Sequence, residues 1–369
     1  KPIDDKTVLW SSRDNQYLVL ENTTALLVSK LSKGIDFEDI SRELSQEMSL
    51  PIKETTDFVL DLKKRFIDPG PSKLLNKPES LKDVVVPNHF SVEKFYKINE
   101  LVIKASFESE QACFLIHPKF EHLEVESQKH DFCFKTFTQD ARIFLAVDNK
   151  LIGSWPFDEF HYFQGKYSMQ LIQKIHKRQE DKWLGVFHAS AVSDKKRAML
   201  FLGDSGNGKS TSLALLQAHG FDCIADDFVP VAAQSQEIYS FPAAISVKKT
   251  SLDTLLPFYP ELSDSKEYDF KVAQKIVRYL KPNNNDFSSH LPCKGLVFIK
   301  YIKDAPLSCE KIDKITAFQK LVPDSWLSPI KENAAIFLDW FAALDCFKLT
   351  YSNNTEMVAQ VSKLFRDEL

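Results

Sequence analysis

No stretch of this sequence is apolar for long enough to cross a bilayer, and none has the form of a secretory leader core. A helical membrane protein is therefore excluded, and a cytoplasmic location is expected. Charge of one sign is lacking too: 47 lysines and arginines stand against 51 aspartates and glutamates, for a formal net charge of −4. That balance implies neither a nucleic-acid partner nor a membrane surface. The six cysteines, Cys113, Cys133, Cys223, Cys293, Cys309 and Cys346, are scattered and form no Cys-x-x-Cys pair, so reduced thiols are expected. There is no internal repeat. The chain begins at Lys1 without Met, which leaves a removed N-terminal segment open. Apolar content is not lacking, because 44% hydrophobic residues over 369 positions can build the cores of two or three domains. Glycine is scarce, with ten in all, which makes its clustering informative.

Three of the ten glycines lie within six positions of the run Gly203-Asp204-Ser205-Gly206-Asn207-Gly208-Lys209-Ser210. The run satisfies the phosphate-binding spacing Gly-x4-Gly-Lys-Ser. Before it, residues 198–202 are wholly apolar and predict a buried strand. After it, residues 210–218 place apolar side chains at helical spacing, and Gly220 marks the end of the helix. Strand, loop and helix in that order bring successive N–H groups and a positive helix end around one anion. The loop and Thr211 are therefore the candidate site for a nucleoside triphosphate, ATP or GTP. Lys209 is expected to reach the β- and γ-phosphates and the Ser210 hydroxyl to ligate Mg²⁺. A glycine-rich turn that fits the spacing by accident is the alternative, and the order of elements stands against it.

Residues 221–225 predict a second strand, which ends in Asp226 and Asp227. Two carboxylates at a strand end can ligate a metal or accept a hydroxyl proton, the two tasks that phosphoryl transfer divides between them. A solvated turn is the alternative, since aspartates are common there. Upstream, His188 interrupts the apolar run 186–191, and a lone histidine on an apolar strand is more often structural than catalytic.

His188-Ala-Ser-Ala, the loop, and Ala225-Asp-Asp together resemble the kinase core of the HPr serine kinase/phosphorylase family. Residues 241–248 and 291–298 are more similar to the HPr-kinase-related branch than to the sugar-repression enzyme itself. The resemblance implies a P-loop fold of the HPr kinase / PEP carboxykinase-like type. It makes Lys209 the phosphate clamp, Ser210 the magnesium ligand and Asp226 the general base. Asp227 becomes the second metal-side carboxylate and His188 the group that orients the acidic pair, with the two aspartates open to exchange. Lys248, Lys249 and Arg278 are candidates for further basic groups at the phosphates, with solvated charge preferred for Lys249. The second signature of the sugar-repression enzyme is missing after the aspartate pair, which leaves phosphorolysis and an HPr substrate unsupported.

The N-terminal part follows another pattern. Residues 18–31 carry an apolar face at helical spacing, Gly34 stops it, and residues 37–44 and 54–66 repeat it. A small winged-helix-like unit over residues 1–70 is expected. Its Asn22-Thr23-Thr24-Ala25, Gly34 and Asp36-Phe37-Glu38-Asp39-Ile40 resemble the PqqD-like peptide-binding domain. That resemblance implies capture of a precursor-peptide leader by strand addition at a sheet edge. A packing or dimerisation module without a ligand is the alternative.

Residues 71–89 have linker composition. From 90 to 157, runs such as 114–116 and 143–147 suggest antiparallel strands, residues 167–176 a helix, 297–299 a core strand and 336–344 a buried helix. The expected organisation is an α/β P-loop kinase domain over 90–369 with a β-rich N-terminal part. The expected activity is Mg²⁺-dependent transfer of the γ-phosphoryl group to a serine hydroxyl of a peptide or protein. A kinase of a small-molecule alcohol and a nucleotide-gated binding module are the alternatives, and homo-oligomerisation is left open.

Overall fold

The computed structural model describes residues 1–68, 84–270 and 275–368. The expected linker lies outside the described residues as far as position 83. Among the described residues no helix is long and apolar enough to cross a membrane, and all six cysteines are free thiols.

The longest strand, His290–Tyr301, is the spine of a ten-stranded sheet. Its first residues pair antiparallel with Glu237–Tyr239. Its second half pairs parallel with Ala198–Leu202 on one side and Asp345–Tyr351 on the other. Gly295 stands where Asp345 joins, and a Cβ there would meet the Asp345 carbonyl oxygen at 2.8 Å. Beyond Ala198–Leu202 the sheet continues antiparallel through Ser190–Ser193 to Asp222–Asp226.

Parallel strands covered on both faces read as unbroken apolar runs, and alternation along them sorts the side chains between two cores. Leu200, Leu202, Leu296 and Phe298 join one core with Phe337 and Phe341. Met199, Phe201, Val297 and Ile299 join the other with Leu213, Leu216, Leu349 and Tyr351. The helix Lys209–Ala218 packs in that second core against Ser190–Ser193 and Asp222–Asp226. This packing fixes the loop that precedes it.

A six-stranded sheet precedes the spine in the chain, running in the order Glu124–Val125, Val92–Ile98, Leu101–Phe107, Phe132–Gln139, Arg142–Val147, Lys150–Pro156. Its pairs are antiparallel except Leu101–Phe107 with Phe132–Gln139, which run parallel. Parallel neighbours need a crossover, and the segment between them supplies it. The strand expected at 114–116 is therefore not there. Ser109 accepts a hydrogen bond from Ala112 N and starts the helix Glu110–Phe114, after which the chain turns toward Lys119. The helix expected at 167–176 begins earlier, as Phe160–Ile175. A third, three-stranded sheet of Tyr268–Phe270, Lys275–Leu280 and Ile245–Lys248 carries Lys248 and Lys275.

At the N-terminus, Pro2–Ile3, Lys6–Ser11 and Gln16–Glu21 form an antiparallel sheet, followed by helices Asn22–Ser32, Phe37–Met48 and Ile52–Leu62. The three helices agree with expectation and share a small core of Leu27, Leu31, Ile40, Leu44, Val59 and Leu62. Residues 18–21 are strand instead of helix, because Leu18, Val19 and Leu20 pair with Leu9, Val8 and Thr7. The strands thus precede the helices, and this order does not establish the winged-helix arrangement. Nor is the sheet a free appendage. Ile3 and Val8 belong to the main core, Tyr17 meets Phe337 edge-on at 5.3 Å between ring centres, and Asn15 Nδ2 donates to Leu327 O at 2.8 Å.

Replacing Tyr17 by Ala removes that aromatic anchor while leaving the helical core untouched. Loss of one large packed ring costs about 3 kcal/mol, so the thermal unfolding midpoint should fall by several degrees in calorimetry. An unchanged midpoint would mean that the sheet does not stabilise the core it touches.

Candidate nucleotide site

The loop leaves the buried strand Ala198–Leu202 at Gly203, whose added Cβ would stand 2.8 Å from Ile299 O on the spine. It enters the helix at Gly208, with φ of +93°, a conformation that L side chains rarely adopt. Both positions need glycine for reasons of space or backbone angle. Between them the loop curls around Lys209, which is 7% exposed and donates to Gly203 O. Burial lowers its pKa from the usual lysine value, partly countered by Asp227 and Asp226.

The two aspartates sit in different surroundings. Asp226 closes its strand opposite Ser190 and is 2% exposed. Its Oδ1 accepts from Ser190 Oγ at 2.6 Å and from Ser210 Oγ at 3.2 Å, and its Oδ2 from Ser246 N at 3.2 Å. Burial and then the Asp227 carboxylate push Asp226 up to about 6, against those hydrogen bonds, which favour the charged form. Asp227 has φ of +62° and turns out of the strand, leaving a quarter of its side chain exposed. Burial alone would raise its pKa, but Lys119, Lys275, His188 and Lys209 outweigh it and hold the carboxyl below the usual range.

A cavity of ≈ 130 Å³ adjoins these groups and is lined by Ser210, Thr211, Asp227, Lys248, Lys275 and His188 among others, with Asp226 reached through Ser210. Lys248 Nζ donates to Ser205 Oγ at 3.0 Å, and Thr211 Oγ1 to Ser251 Oγ at 2.8 Å. His188 follows the strand Trp183–Phe187 in an exposed bend, so it is not a buried strand residue. Four lysines, 119, 209, 248 and 275, thus surround two carboxylates, and that positive excess suits a polyphosphate. The donors Ser210 and Asp226 suit Mg²⁺, which takes one or two protein oxygens and completes its shell with water and phosphate. Among the described residues no three His, Cys, Asp or Glu side chains gather as a metal cage.

Arg278 is not part of the site. Its guanidinium donates to the carbonyls of Leu262, Ser263 and Ser265 and bonds no residue of the phosphate loop. Lys249 is exposed, as expected. Sequence reasoning missed Lys119, whose Nζ lies 3.9 Å from Asp227 Oδ2, and also Lys275, Ser190 and Ser246. Lys119 arrives on the crossover of the six-stranded sheet, held there by Ala244 N donating to its carbonyl at 2.8 Å. No local pattern marks it.

No family model matches the chain, and no curated protein matches it. Among solved structures, the Hpr(Ser) kinase/phosphatase from Coxiella burnetii matches with 10% sequence identity over 49% of this chain and 94% of that one, at a TM-score of 0.22. A score that low does not establish a shared fold, so the functional reading rests on this chain's own residues.

Because the folded pKa of Asp226 is raised, its stabilising contribution is complete below the ordinary carboxyl value of 3.8 and is lost as pH rises through about 6. Asp226→Asn removes that loss and keeps an acceptor for Ser246 N. In the metal- and nucleotide-free protein the variant should therefore gain on the wild type between pH 4 and 7, by on the order of 1–3 kcal/mol. Urea unfolding at both pH values checks this, and a constant difference would contradict the raised value.

Proposed function

We propose that this protein is a Mg²⁺-dependent kinase that transfers the γ-phosphoryl group of ATP or GTP to a serine hydroxyl of a peptide or protein. The observation that carries this reading is the hydrogen bond from Ser210 to Asp226 beside an Asp227 held in the field of Lys119, Lys275 and Lys209. A loop that only bound nucleotide would have no use for a second carboxylate facing the cavity.

The loop N–H groups and Lys209 hold the β- and γ-phosphates, and the oxygens of Ser210 and Asp226 would hold the metal. When bound, magnesium neutralises charge on the β- and γ-oxygens. Asp226 has both oxygens engaged by Ser190, Ser210 and Ser246, whereas Asp227 faces the cavity. This favours exchanging the roles that the family resemblance implies, with Asp226 on the metal side and Asp227 accepting the serine proton. The transfer state is loose and the proton leaves late, so a carboxylate of low pKa can do this by holding the hydroxyl in line. His188 stands beside Asp227 and orients it. Lys119 and Lys275 add positive charge where the phosphoryl group moves.

Residues 1–70 are proposed to bind the leader of a precursor peptide. Support comes from Gln16–Glu21, which among the described residues pairs only with Lys6–Ser11 and so leaves one edge open for strand addition. The exposed apolar side chains Leu26, Phe58 and Leu60 lie on the adjoining helices.

Lys209→Ala should abolish most phosphoryl transfer with the fold intact, as followed by phosphate incorporation and circular dichroism. Asp227→Asn should lower kcat by roughly 10²–10⁴-fold and nearly preserve Mg-nucleotide affinity. Asp226→Asn should instead weaken the magnesium dependence of binding. The opposite pattern would restore Asp226 as the base, and transfer undiminished in all three variants would end the kinase reading.

The leader assignment is checked by comparing a precursor peptide encoded beside this gene with the same peptide lacking its leader. Tethering raises the local concentration of the acceptor, so loss of the leader should raise KM far more than it lowers kcat. Equal KM values would leave residues 1–70 as a packing module.

A further inference from the structure

A second cavity, of ≈ 400 Å³, lies on the other face of the phosphate loop. It opens at the carboxyl ends of two parallel neighbours, lined by Leu202, Gly203 and Asp204 beyond one strand and Phe298 to Lys300 on the spine, with Gln319 and Leu321 from the helix Lys314–Leu321 opposite. The crevice outside the carboxyl ends of such strands is where open α/β sheets bind ligands. The linings of the two cavities have one residue in common, His188.

The placement of Lys209 orients the site. Its Nζ points to the carbonyls of Gly203 and Asp204, and this lysine serves the β- and γ-phosphates. Lys209 lines the smaller cavity and its Nζ reaches Gly203 and Asp204 of the larger one, so the terminal phosphate that it grips lies at the junction of the two, beside His188. In-line transfer requires the acceptor oxygen and the leaving oxygen on opposite sides of the γ-phosphorus. With the nucleotide in the smaller cavity, the acceptor enters from the larger one.

Resting on the kinase reading, we propose that the ≈ 400 Å³ cavity is the acceptor site and takes a serine in a short extended peptide segment, its hydroxyl at His188. A recess of this size matches a small-molecule pocket, so it admits a few residues of extended chain and not the face of a folded domain. Charge does not select the occupant. Lys300 and Lys320 are balanced by Asp204 and Asp324, and Lys348 pairs with Glu310 at 3.4 Å. The apolar lining of Leu202, Phe298 and Leu321, with Pro323 exposed at its edge, is what remains to discriminate, and it favours an apolar residue next to the serine.

The test uses the full chain, a non-hydrolysable ATP analogue with Mg²⁺, and two dye-labelled peptides, Gly-Ser-Leu-Gly and Gly-Ser-Lys-Gly, with blocked ends. Fluorescence anisotropy should show the leucine peptide binding about tenfold tighter, as burial of one aliphatic side chain allows. Gln319 is exposed on the rim, and Gln319→Trp should block the recess, weakening the leucine peptide at least about tenfold with analogue affinity unchanged. Gln319→Ala should bind as the wild type does, which separates blockage from misfolding. Equal binding of the two peptides, or no effect of Gln319→Trp, would overturn the proposal. So would a loss of analogue affinity in Gln319→Trp, because the recess would then belong to the nucleoside. If the binding pattern holds and no phosphate is transferred, the kinase reading fails and the peptide site stands.

Discussion

The Asp226 carboxylate ties together the parts of the molecule that matter for its chemistry. One side chain, 2% exposed, holds the neighbouring strand through Ser190, the first turn of the loop helix through Ser210 and the backbone of Ser246 in the three-stranded sheet. A buried carboxylate beside another one is costly, and three hydrogen bonds offset only part of the cost. Its surroundings keep the charged form available at the expense of stability in the empty protein. Such an arrangement is expected where a cation is to be held, since the cation removes the penalty on arrival.

Around that point the chain gathers positive charge from distant places. Lys209 comes from the loop, Lys248 and Lys275 from one small sheet, and Lys119 from the crossover of another. Each is half-buried or buried, and each has its charge raised in importance by the low dielectric around it. Asp227 lies in the field of Lys119, Lys275 and Lys209. The two adjacent aspartates, identical in the sequence, therefore diverge in opposite directions, Asp226 upward and Asp227 downward. Divergence of neighbouring titratable groups is a physical mark of divided roles.

The N-terminal sheet adds a mechanical constraint. Because Ile3, Val8 and Tyr17 pack on the same core as Phe318 and Phe337, the edge strand Gln16–Glu21 belongs to a sheet anchored on the main core. The helix Lys314–Leu321 touches that sheet through Phe318 and lines the larger cavity through Gln319 and Leu321. The N-terminal sheet and the ≈ 400 Å³ cavity are thus joined by one short helix.

The phosphate loop, its strand and its helix were legible in the sequence because all their determinants are local: an apolar run of five, three glycines and a 3.6-residue period. The helices of the N-terminal unit were legible for the same reason. Residues 18–21 and 114–116 misled because a short apolar run has no period of its own, and its state depends on what pairs with it. Thr7 to Leu9 made the first a strand, and the Ser109 cap with the need for a parallel crossover made the second the end of a helix. By itself the sequence determined which atoms could grip a phosphate. Only the tertiary structure decided which aspartate is buried, which lysines reach the other, and that Arg278 is spent on loop carbonyls, since charge, burial and distance across 100 residues of chain are properties of packing.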